Sequence, residues 1–88
     1  MPDLMQGWTS GLSGTEPQSV LDSILDARSA VHAARQAILA IEIHARDYEG
    51  QEAAMRADLR ARGELAARLT AVSDALMEAA ENVAASFT

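Results

Sequence analysis

The sequence predicts an all-α protein: an antiparallel two-helix hairpin with a coiled-coil-like, alanine-rich seam, preceded by a flexible N-terminal arm. Three observations predict it. Apolar residues recur at alternating spacings of three and four from Val20 to Phe87, with Glu52, Arg62 and Ser73 the polar exceptions, the rhythm of one helical face. Gly50 stands near the middle of that pattern, inside the turn-like run Asp47-Tyr48-Glu49-Gly50. The chain is 49% hydrophobic but only 3% aromatic, so alanine must supply much of a narrow, shallow core.

Residues 1–14 carry three of the five glycines, Gly7, Gly11 and Gly14, among Thr9, Ser10 and Ser13, and are expected to form a flexible arm bearing the single tryptophan, Trp8. The remainder, 15–88, is expected to be the hairpin: helix 1 over about 16–48, a turn over about 48–51 and helix 2 over about 52–87. Thr15 reads as an N-cap, with Gln18 completing a capping box and Pro17 in the first turn, where its missing N–H is harmless. The first seam runs Val20, Ile24, Ala27, Val31, Ala34, Ile38, Ile41, Ala45 and Tyr48. The second runs Met55, Leu59, Arg62, Ala66, Leu69, Ser73, Leu76, Ala80, Val83 and Phe87.

Folding at Gly50 sets Ala34 against Ala66, Val31 against Leu69, Ile24 against Leu76 and Ile41 against Leu59. Small residues facing small residues let two helices approach closely. The spacing also crosses Gly50 without a phase break, so a continuous helix pairing antiparallel with a second chain would make the same contacts in trans.

Length and charge restrict function. Eighty-eight residues form one domain at most, with a smaller buried fraction than an average domain. The net charge is −6, with thirteen acids against seven bases, all arginine. Long-range attraction to nucleic acid or anionic lipid is therefore not expected. Cysteine is absent, which removes disulfides, thiolate metal sites and thiol nucleophiles. Lysine is absent too, so no Gly-rich loop ends in the lysine of a familiar phosphate cradle.

The longest apolar run, residues 37–41, is far short of the ~20 residues of a membrane span. No basic leader precedes an apolar stretch, so the protein is expected in the cytoplasm or exported without a cleaved signal. His32 and His44 stand about 120° apart on a helix, which prevents one helix from aiming both at one metal. No residue set converges as catalysis requires, and no cofactor or metal is expected.

What remains is surface. Glu42/Arg46, Glu52/Arg56, Asp58/Arg62 and Glu64/Arg68 place an acid four residues before an arginine, the order that supports a helix. Asp22, Asp26, Asp74, Glu78 and Glu81 gather at the end of the hairpin opposite the turn, an acidic surface suited to a cationic partner. Leu21, Leu25, Leu65 and Val72 lie beyond the seams at helical spacing, more apolar surface than two helices can cover. With Trp8 and Phe87 they are the candidate partner-binding residues, and they point to a homo- or hetero-oligomer.

Tyr48-Glu49-Gly50 occupies the turn, Tyr48 to Glu52 spells Tyr-x-x-x-Glu, and the tail reads Asn82-Val83-Ala84-Ala85-Ser86-Phe87-Thr88. In these features the chain resembles the WXG100, ESAT-6-like proteins of type VII secretion, whose turn carries Trp-x-Gly and whose tail ends similarly. The resemblance implies a small signal-less protein that pairs with itself or a homologue and is exported or chaperones an effector. The Trp/Ser/Gly arm and the hairpin are also similar to type III secretion needle subunits, which implies a filament. A third expectation is a small bacteriophage protein that builds the virion or inhibits a host complex.

Overall fold

The computed structural model describes residues 3–9 and 16–86. The fold is all-α: α1 spans Pro17–Leu39, a short 3-10 turn spans Ala45–Tyr48, and α2 spans Glu52–Ala85. The two helices pack antiparallel along their lengths and form a rod of 62 × 19 × 17 Å. Among the described residues, no helix is long and apolar enough to cross a membrane.

Helix α1 begins one residue later than the capping-box reading. Glu16 is the N-cap, with extended backbone and no side-chain cap hydrogen bond, and Pro17 opens the helix at the position its fixed φ suits. Thr15 lies outside the described residues. The helix also ends far earlier than residue 48. After Leu39 the chain leaves helical geometry through Ala40, and the Arg62 guanidinium donates to the Ile41 carbonyl at 2.7 Å, satisfying an oxygen that a continuing helix would have used. Two isoleucines close together, Ile41 and Ile43, add β-branched crowding that weakens helix there.

The connection therefore spans residues 40–51 instead of a four-residue turn, and it lies back against α2. Gly50, with φ +76°, turns the chain in the left-handed region, and the Tyr48 carbonyl accepts from the Gln51 N–H at 2.6 Å. Across that connection the Tyr48 hydroxyl donates to Asp58 at 2.6 Å, fixing the loop to the second turn of α2. The hairpin is thus made in cis, by this glycine and these two long-range hydrogen bonds.

The seams are shifted. On α2 every described seam position is buried or half-buried, as expected. On α1, Val20, Ile24, Val31 and Ile38 turn inward, but Ala27 and Ala34 are exposed and Arg28 and Arg35 take their places. An arginine stem buries far more apolar surface than a methyl group, so a small rotation of α1 about its axis covers more of α2. The register slides by under one turn as well: Ile24 clusters with Ala79, Ala80 and Val83, and Ile41 meets Arg62 where Leu59 was expected.

The core is small and sits at the end opposite the turn. Ile24, Ala79, Ala80 and Val83 form it, and Met5, Trp8, Val20, Leu21 and Leu76 pack against it. Residues 3–9 are therefore not a free arm. They lie across the end of the hairpin, held by the Asn82 amide donating to the Leu4 carbonyl at 3.3 Å and by a turn closed from the Trp8 N–H to the Met5 carbonyl at 3.3 Å. A two-helix rod has an open end, and an indole plus a thioether supply the apolar area that alanines cannot.

Candidate protein-interaction surface

The candidate partner-binding residues divide into three groups. Leu25, Leu65 and Val72 are 39%, 45% and 38% exposed, large apolar side chains without cover. Leu21 and Trp8, by contrast, are half-buried against the hairpin's own core, so the molecule already uses them internally. Phe87 lies outside the described residues.

Asp22, Asp26, Asp74, Glu78 and Glu81 are all exposed. Asp22 accepts from the Gln18 amide at 2.9 Å. Among the described residues none of the five joins an ion pair. At the other end Tyr48 and Gly50 build the turn as described, and the hydrogen bond that the Tyr48 hydroxyl donates to the Asp58 carboxylate raises the Tyr48 pKa above its ordinary value.

Two features escaped sequence reasoning. The first is Ile41, 53% exposed just past the end of α1, which a seam running on to residue 48 would have turned inward. The second is a shallow groove of about 440 Å³ along the hairpin, lined by Leu25, Arg28, Ser29, His32 and Ser73. It continues into a smaller hollow that Arg28, Arg35 and Asp74 also border. The Nε atoms of Arg28 and Arg35 are buried there without a hydrogen-bond partner. A buried donor left unmade is costly, and here two occur one above the other, two helical turns apart. The signal present in the sequence is Arg28 and Arg35 at a spacing of seven, which places both on one face of α1.

The expected helix-supporting ion pairs are mostly diverted. Glu52 and Arg56 approach to 4.0 Å as an i,i+4 pair. Glu42 lies in the connection and meets His44 at 3.7 Å, Asp58 is taken by Tyr48, and Arg62 by Ile41. The connection uses charges that a pair of uninterrupted helices would have used along their surfaces.

Chemically the surface offers apolar side chains, unpaired guanidinium groups and unpaired carboxylates on one narrow rod. That combination suits contact with protein. Comparison with family models, curated proteins and solved structures returns no match.

Proposed function

We propose that this chain is a non-enzymatic assembly module whose helical hairpin is completed by other protein. One observation carries the reading: the rod exposes 6140 Å², where a compact chain of 9.3 kDa would expose about 5,000 Å². Leu25, Leu65 and Val72 contribute to that excess, and an excess of about 1,200 Å² exceeds the ~800 Å² each partner contributes to an ordinary interface. A hairpin of this length with Tyr48 and Gly50 at its turn supports the narrower reading of a secretion-system substrate or partner, in line with the resemblance to WXG100 proteins. The 62 Å rod form supports a structural subunit of a filament or virion as the second reading.

The test is a triple variant, Leu25→Gln with Leu65→Gln and Val72→Gln, compared with the parent by crosslinking and mass spectrometry in the cells that make the protein. These side chains are exposed, so helix content should be unchanged by circular dichroism. The parent should form defined higher-mass adducts that the variant loses. Identical adducts for both, or none for the parent, would refute the reading. The identity of an adduct separates the alternatives: secretion components support the first, copies of the chain in a ladder the second.

A further inference from the structure

We infer that the groove face pairs with the same face of a second copy about a two-fold axis parallel to the rod, setting Arg28 of each copy against Asp74 of the other. This rests on the assembly reading and names its partner. Arg28 and Asp74 stand on opposite walls of the same hollow, one on α1 and one on α2. The observed register, with Ile24 beside Ala79 and Ala80, places Arg28 level with Asp74 to within about one residue. Neither side chain has an ion-pair partner among the described residues, and the Arg28 Nε is buried and unsatisfied.

A two-fold axis along the rod exchanges the walls without changing the level. It lays α1 of one copy over α2 of the other, so the cation and the carboxylate meet twice, once on each side of the axis. An axis across the rod would lay α1 over α1 and leave Arg28 without that acid. The face is therefore self-complementary in charge for one polarity of pairing and not for the other.

Shape agrees with charge. Leu25, 39% exposed, lies one turn from Arg28 on the same groove, and half-buried Met77 lies one turn from Asp74 on α2. The same exchange brings Leu25 of each copy to the level of the other's Met77, two apolar contacts flanking the two charged ones. A pair built this way is a four-helix bundle with both chain termini at one end, the usual way for a two-helix unit to bury its second face.

The experiment is a charge swap read by sedimentation equilibrium at about 100 μM, the range in which an interface of modest affinity is populated. The parent should sediment as a dimer. Arg28→Asp and Asp74→Arg should each sediment as a single chain with the parent's helix content, because each places like charges opposite one another. Mixed in equal amounts, the two variants should dimerise again, since each wall then meets its opposite, and the double variant should dimerise by itself. The milder Asp74→Asn should weaken association at least tenfold. A single-chain parent, single variants that dimerise as the parent does, or a mixture that fails to recover would each overturn the pairing. A single-chain parent would leave the broader assembly reading to its own crosslinking test, so the two fail separately.

Discussion

At the scale of residues, the two helical-hairpin glycines show how differently one amino acid can be used. Gly50 has φ +76°, a conformation that L side chains rarely adopt, whereas Gly63 lies within α2 and a Cβ added there would meet nothing within 4 Å. Gly63→Ala should therefore stabilise the hairpin by about 0.5–1 kcal/mol, the helix-propensity difference, and Gly50→Ala should destabilise it by about 1 kcal/mol. Urea titration followed by circular dichroism measures both, and a loss of stability in Gly63→Ala would contradict the open space around it. Tyr48, the sole tyrosine, gives a second prediction. Its pKa is raised chiefly because its proton is held by Asp58, then by partial desolvation and by the charges of Asp58 and Asp47. Because the folded value lies above the unfolded one, the contact's contribution is complete below about pH 10 and is lost as pH rises through the folded value. Absorbance titration should place the phenol midpoint above the ordinary one, and Asp58→Asn should lower it. Equal midpoints in the two proteins would mean that the hydrogen bond is not made in solution.

The element scale shows what periodicity could and could not specify. The α2 seam was fully legible because its large residues, Leu59, Leu69, Leu76 and Val83, all fall on one face and leave the helix one way to turn. The α1 seam was read one step off because alanines at 27 and 34 match the spacing but bring little area, while the stems of Arg28 and Arg35 bring more. A hydrophobicity pattern counts alanine as core and arginine as surface, and here burial by area decided otherwise. The early end of α1 was illegible for a related reason: it depends on Arg62 reaching Ile41 from another helix, which no local propensity records. The fold class needed none of these details, but the candidate groove, with both arginines on its wall, depends on all of them. A substitution pair tests the corrected register. Ala79 is fully buried and Ala34 exposed, so Ala79→Leu should cost about 1–3 kcal/mol by overpacking while Ala34→Leu should stay within about 0.5 kcal/mol of the parent. Thermal melts of both decide it, and the reverse order would restore the alanine-layer register.

For the whole molecule, the question is how a rod with so small a core is stable. Five side chains are buried among the described residues, four of them in one cluster at the end that residues 3–9 close, and only Val83 among them is large and fully enclosed. Small domains with little core usually draw stability from disulfides, metals or association, and cysteine is absent here. Residues 3–9 meet part of that need at one end, where Trp8 and Met5 replace the neighbour that a larger bundle would provide. Beyond that end there is no such cover, and Leu25 remains in solvent on the groove face. Association at the groove face would extend the core along the helices from the end where it now stops. The central claim, that another copy completes the hairpin, is tested most directly by the thermal midpoint of the purified protein over a hundredfold range of concentration. Mass action requires the midpoint of an associating protein to rise with concentration, and the account predicts that rise. A midpoint that stays fixed across the range, with a sharp cooperative transition, would contradict it.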